Sequence, residues 1–208
     1  MTKLEFDMNS IAQKIEEKIK SFDRGTIFFA DAFLDIGSSE AVRQTLFRLT
    51  NNGLIIRVAQ GIYCYPEIDE VLGLGVIYPT DEQIANILAE RSHSKIVPTG
   101  DYALNVLGLS TQVPMNSVFL TNGKSRKISV FGNRQITFKN TAPRNLAFTN
   151  RLAMLINSAL KSIKNDNVTS EQIAQIAHLL RNEKKEDVLA DLKLMPVWIR
   201  KIITSAYE

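Results

Sequence analysis

The sequence predicts an α+β protein, and three observations predict it. Residues 28–66 read as two short helices about a tight glycine turn, followed by a β-hairpin. Residues 117–139 hold three strand-like runs separated by Asn122-Gly123 and Gly132-Asn133. From Phe148 onward the apolar spacing is that of helices throughout. Together these give an N-terminal winged helix-turn-helix, then a mixed α/β domain with a small antiparallel meander and a C-terminal helical bundle. The expected domains are 1–78 for the winged helix-turn-helix and 79–208 for a partner domain, which is α/β over 79–147 and helical over 148–208.

Composition fixes the broad class. At 45% hydrophobic and 23% charged, the 208 residues can bury a core and are not those of a disordered chain. No apolar run approaches the roughly 18 residues of a membrane span, and the first ten residues lack a signal peptide's apolar stretch. The lone Cys64 excludes an internal disulfide, and with the missing leader it points to a cytoplasmic location. Cys64 lies in an aromatic strand, which suits packing rather than a reactive thiol.

The elements follow in order. Ile11, Ile15, Ile19 and Phe22 mark a first amphipathic helix, with Ser10 and Gln13 at capping-box spacing. Thr26, Ile27 and Phe28 form a short strand suited to pair with the later hairpin. Ala32, Phe33 and Ile36 give a second helix its apolar face, and a left-handed Gly37 ends it. Ser38 or Ser39 caps the next helix, where Val42, Leu46 and Leu49 recur at helical spacing before Asn51-Asn52-Gly53 stops it. The hairpin pairs 54–58 with 61–65 about Ala59-Gln60-Gly61, and Pro66 closes it.

Residues 67–78 read as a linker or extended connection. Gly73-Leu74-Gly75 lacks the third glycine or Lys-Ser/Thr of a phosphate loop. Pro79 to Glu82 opens a helix with Ile84, Ile87 and Leu88 inward. Residues 96–98 suggest a strand, and Thr99 caps a helix with Tyr102, Ala103, Val106 and Leu107 inward and Gly108 at its end. Strands at 117–121 and 126–130 are expected to meet across Asn122-Gly123, and 134–139 follows. Alternation sends Ile128, Val130, Ile136 and Phe138 to a core, and leaves Lys127, Ser129, Gln135, Thr137 and Lys139 wet. In the tail, Leu152, Leu155, Ile156 and Leu160 make one stripe. Thr169 and Gln172 form a capping box ahead of Ile173, Ile176 and Leu180. Val188, Leu189 and Leu192 mark a third helix, and Pro196 opens a last one with Trp198, Ile199, Ile202 and Ile203.

Two surfaces could carry function. Opposite the Val42/Leu46/Leu49 stripe lie Ser39, Arg43, Gln44, Phe47, Arg48 and Asn51, with Arg57 and Gln60 on the hairpin. Arg and Gln carry paired hydrogen-bonding groups that match base edges or phosphates in a major groove, so these eight residues are the expected DNA-binding set. The second surface belongs to a block from 102 to 165 without any Asp or Glu. There Lys124, Arg126, Lys127, Arg134, Lys139 and Arg144 are the expected partner-binding residues, for nucleic acid or an acidic protein. Overall charge is uneven: 1–78 holds 8 Lys/Arg against 11 Asp/Glu, while 79–148 holds 8 against 4. The expected DNA reader therefore sits in the acidic part of the chain, which limits non-specific binding.

No catalytic set assembles. His93 and His178 have no ligand at metal-binding spacing, and no nucleophile–base–acid pattern is visible. The chain is expected to be no enzyme, and to need neither metal nor cofactor.

At this point a resemblance enters. Residues 41–66, AVRQTLFRLTNNGLIIRVAQGIYCYP, resemble the winged-helix signature of AbiEi-like antitoxins of abortive-infection toxin–antitoxin systems. The later PTGDYALNVLGLSTQVP and NSVFLTNGKSRKI also resemble the region after the winged helix in that family. The resemblance spans roughly residues 5 to 160. It implies a bacterial antitoxin that binds double-stranded operator DNA, represses its own operon and neutralises a nucleotidyltransferase-like toxin. It maps Arg43, Gln44 and Arg48 onto the reading helix and Arg57 and Gln60 onto the wing. The other reading is a winged-helix transcription regulator without a cognate toxin, whose basic second domain binds nucleic acid or a protein.

Overall fold

The computed structural model describes residues 3–112 and 114–207, with side chains from residue 11 onward. The protein is α+β. It divides into two compact units: residues 1–84 with 129–133, and residues 85–128 with 134–208.

In the first unit, helix α1 (Lys3–Lys20) packs on helix α2 (Ser39–Asn51) over a core of Ile15, Ile19, Phe33, Val42, Leu46 and Leu49. Ser10 and Gln13 lie inside α1, which begins well before them, so they form no N-terminal capping box. Three short antiparallel strands, β1 (Ile27–Phe29), β2 (Ile56–Ala59) and β3 (Ile62–Cys64), stand in the order β1-β3-β2. The expected pairing of 26–28 with the hairpin is present, Phe28 facing Tyr63. The rings of Phe22, Phe28 and Phe33 cluster at 5.5–6.4 Å.

The expected helix around Ala32 is instead one 3-10 turn, Ala30–Phe33. Its three-residue period buries Phe33 and half-buries Ile36 while turning Ala32 to solvent. Gly37 is not left-handed. It is there for space, because a Cβ would stand 2.9 Å from Ile11 Cγ2. The chain then enters α2 through Ser38, whose Oγ accepts from Ala41 N at 3.3 Å. This settles which serine is the cap. Val42, Leu46 and Leu49 are buried as expected, and Thr45 joins them.

Residues 67–78 are not a linker. Strands β4 (Glu67–Asp69) and β5 (Gly75–Ile77) form a second antiparallel hairpin. Asp69 Oδ1 accepts from Leu72 N at 2.8 Å, and Gly73 and Gly75 take positive φ. An Asx turn and two left-handed glycines close this turn.

The four-stranded sheet, which belongs to the second unit except for Ser129 and Val130, departs from the expected meander. Strands β6 (Ile96–Pro98), β7 (Asn116–Thr121), β8 (Arg126–Val130) and β9 (Arg134–Asn140) stand in the order β6-β7-β9-β8. Strand β7 does not pair with β8. It runs parallel to β9, Phe119 facing Phe138. The Asn122-Gly123 turn is no two-residue hairpin, which would need positive φ at both positions; neither has it. Asn122 Oδ1 instead accepts from Lys95 N at 2.8 Å, and Gly123 N donates to Thr121 Oγ1 at 3.0 Å. Asn140 fills the crossing: its N donates to Ser125 Oγ at 2.9 Å and its Nδ2 to Gly123 O at 3.0 Å. Alternation itself holds, with Val130, Ile136 and Phe138 buried and Ile128 half-buried.

Helices α3 (Asp81–Arg91), α4 (Gly100–Val106), α5 (Arg151–Ile163), α6 (Ser170–Leu180), α7 (Lys185–Asp191) and α8 (Val197–Ser205) complete the chain. Helices α4 to α8 share a core through Ala103, Ile156, Leu160, Ile176, Val188 and Ile199. The Thr169–Gln172 capping box is present, and Pro196 stands at the N-cap of α8. Val106, Ile173 and Leu189 are exposed, not inward. Thr99 stands at the N-cap of α4, but its hydroxyl donates to Val118 O at 3.1 Å instead of capping.

Candidate nucleic-acid interface

Helix α2 has 13 residues, about 20 Å at 1.5 Å per residue, and it buries only one stripe. Every residue of the opposite side is exposed: Ser39, Arg43, Gln44, Phe47, Arg48 and Asn51. Arg43 and Phe47 stand one turn apart, with Gln44 and Arg48 beside them, so the four form two adjacent rows. Phe47 is 61% exposed in the middle of this polar face. An aromatic ring so placed has no share in the core, and apolar contact with a thymine methyl is a role it can fill.

The β2–β3 hairpin follows at once. Arg57 is exposed on β2, and Gln60 is exposed at the turn, which a left-handed Gly61 closes. The hairpin is held from both sides. Gly61 O accepts from Ala30 N at 3.0 Å, and Val58 O accepts from Phe131 N at 2.9 Å. Phe131 belongs to the 129–133 segment of this unit, and its ring meets Tyr78 edge-on at 5.4 Å. All eight expected DNA-binding residues thus lie exposed on α2 and the hairpin of one unit.

One residue that acts on this face was missed. Arg43 Nη2 donates to both carboxylate oxygens of Glu40, at 2.9 and 2.7 Å, and Gln44 Nε2 donates to the same carboxylate at 3.1 Å. The bond from Arg43, then that from Gln44, holds the Glu40 carboxyl below its usual range. Glu40 lies on the same helix face but was not among the eight expected residues. Its i,i+3 and i,i+4 spacing to Arg43 and Gln44 was the available signal.

The expected partner-binding residues do not form one face. On β8, Arg126 shares its side with Ile128 and Val130. Its guanidinium lies 5.1 Å from the Phe138 ring centre and donates to Leu88 O at 3.3 Å. Lys127 projects from the other side and is exposed, as is Lys139 on β9. Lys124 and Arg126 line a cavity of about 290 Å³ with Ser92, Ser94 and Phe138. Arg144 is exposed and donates to Lys193 O at 3.0 Å, while Arg134 is half-buried.

Elsewhere the chemistry is quiet. Burial pushes the Cys64 thiol up to about 11, and its Sγ donates weakly to Gly25 O at 3.6 Å. His178 is exposed on α6, and His93 ends α3 with φ +48°. Among the described residues no group of three or more His, Cys, Asp and Glu is placed to hold a metal ion. No helix among them is long and apolar enough to cross a membrane.

These features define an α+β protein with an exposed Arg/Gln/Phe helix face beside a short hairpin. The chain belongs to a family of unknown function, DUF6088, whose match spans residues 14–188. No curated protein matches it. Among solved structures it is similar to the crystal structure of RV2827C protein from Mycobacterium tuberculosis. That match has 12% identity and a TM-score of 0.49, over 98% of this chain and 78% of the other.

Proposed function

We propose that the first unit is a winged helix-turn-helix that binds operator DNA, with α2 as reading helix and the β2–β3 hairpin as wing. The carrying observation is the exposure of all eight residues on these two adjacent elements, with Phe47 uncovered among arginines. A major groove about 12 Å wide admits a helix of this size. On this reading Arg43, Gln44 and Arg48 meet base edges or phosphates, and Arg57 and Gln60 meet the flanking backbone.

The resemblance to AbiEi-like antitoxins extends the proposal. The chain represses its own operon, and its second unit, with a helical bundle formed by the C-terminal helices, neutralises a nucleotidyltransferase-like toxin. Two experiments test these two parts. Arg43→Ala and Arg48→Ala should each weaken binding to the DNA upstream of the gene by ~1–3 kcal/mol. Unchanged affinity in the double variant ends the DNA-reading assignment. Co-expression with the product of the adjacent reading frame tests protection. Because Arg126 ties β8 to Phe138 and Leu88, charge reversal belongs at Lys124, Lys127 and Lys139. Loss of protection in that triple Glu variant, with operator binding intact, supports the basic surface; full protection removes it from the mechanism.

A further inference from the structure

The β4–β5 hairpin stands almost bare. From 67 to 78 every residue except Asp69 is exposed, between the buried Pro66 and Pro79. Seven of these residues are large and apolar; Val71 is 95% exposed and Leu72 75%. The edge-on contact of Tyr78 with Phe131 holds the base. Among the described residues neither outer edge of this two-stranded sheet pairs with another strand. A two-stranded hairpin with no core behind it is marginal in water. An apolar patch of this extent on a protein surface marks a contact that something else covers.

Three observations identify that covering surface as a second copy of the chain. The first is area. The seven apolar residues leave roughly 700 Å² open, close to the about 800 Å² that each partner gives to a stable interface. The second is charge. Residues 71–78, VLGLGVIY, hold no charged side chain. At a two-fold axis each residue meets its own equivalent, so a charge there would be set against itself. The third is that the two edges differ. Strand β4 carries Glu67 and Asp69, and charges of this kind keep an edge from pairing. Strand β5, Gly75-Val76-Ile77, carries neither a charge nor a proline.

We propose that the chain forms a two-fold dimer in which β5 pairs antiparallel with β5 of a second copy, centred on Val76. Within one copy Ile68 faces Val76. The pairing therefore lines Ile68 and Val76 of both copies into one apolar row across a four-stranded sheet. Leu74 of each copy comes opposite Tyr78 of the other. Glu67 and Asp69 stay on the outer strands, three strand spacings or about 14 Å from the acids of the other copy. That exceeds the screening length of about 8 Å at physiological salt. The interface stands on the first unit's hairpin alone and does not depend on DNA binding.

The test is sedimentation velocity of the full chain at about 100 µM, above the micromolar end of the dissociation constants found for interfaces of this size. A mass twice 23.4 kDa is expected. Val76→Lys sets two charges against each other at the axis and should raise the dimer Kd by about tenfold or more. Its circular dichroism should match the parent, because Val76 is exposed. Val76→Cys brings two thiols face to face, with Cβ atoms about 4.5–5.5 Å apart, and should cross-link under mild oxidation. Val71→Cys is the more exposed thiol but falls at opposite ends of the paired sheet, so it should not. The native Cys64 is buried and does not compete. A monomer at this concentration overturns the proposal, whether or not its hairpin then binds lipid vesicles or an unlike protein. So does a dimer that Val76→Lys leaves intact, or cross-linking of Val71→Cys as fast as that of Val76→Cys.

Discussion

Arg43 illustrates how one neighbour sets the state of a residue proposed to read DNA. Its guanidinium rests on Glu40, so engaging DNA means exchanging that carboxylate for a base edge or phosphate. Both side chains are largely exposed, so the pair is screened and readily exchanged. Glu40 also places a negative charge near the expected phosphate path. Glu40→Gln should therefore tighten operator binding severalfold at low salt, read by fluorescence anisotropy. Equal affinity would mean that Arg43 never reaches the DNA. The pH sign is fixed by the same pair. A carboxyl held below its usual range stays ionised down through that range and loses the pair only as pH falls through the lowered value. Operator binding should then be flat with respect to Glu40 between about pH 6 and 8. Cys64 makes the opposite case. With its thiol at about 11 and its side chain fully buried, almost none is thiolate at neutral pH. A maleimide should label it only after unfolding, and fast labelling of the native protein at about pH 8 would contradict its burial.

At the scale of elements, what could be read from sequence was what local chemistry decides. Helix α2 carries its own cap, its buried stripe and its stop in consecutive residues, and each stands where its residue type places it. The β2–β3 hairpin and the Thr169–Gln172 box were legible for the same reason. What was not legible depends on distant partners. Asn122-Gly123 has the composition of a hairpin turn, but Lys95 and Asn140 take its polar groups and send β8 past β9. Arg126 likewise finds Phe138 and Leu88, contacts that sequence spacing does not connect. Asp191 is a further case. It is 2% exposed, and it accepts from Thr149 N and Asn150 N, each at 2.8 Å, and from Thr149 Oγ1 at 3.0 Å. It thereby anchors the entry to α5 from 41 residues away in sequence. Asp191→Ala would orphan two backbone N–H groups at that entry and should cost about 2–4 kcal/mol. Urea denaturation reads this as a lowered midpoint; a change under ~0.5 kcal/mol would show that water replaces the carboxylate without loss.

At the scale of the whole molecule, charge separates what the two units can do. The 1–78 region is net acidic and offers only Arg43, Arg48 and Arg57 on α2 and the hairpin. Each phosphate neutralised releases condensed counterions, so the salt dependence of binding counts the cations engaged. With roughly three to five phosphate contacts per monomer, log affinity should fall with log salt at a slope of about −3 to −5. On the proposed reading, specificity would rest on base contacts and fit more than on bulk attraction, since acidic residues such as Glu40 oppose non-specific approach. The carboxylate-free block from 102 to 165 is one region of the chain able to steepen that slope. A slope near −10 would mean that its lysines and arginines also grip the duplex, and the division between a DNA-reading unit and a partner-binding unit would fail. Repeating the titration with the Lys124, Lys127 and Lys139 triple Glu variant decides the matter. An unchanged slope leaves those residues free for another partner, and a slope smaller by about three units assigns them to DNA.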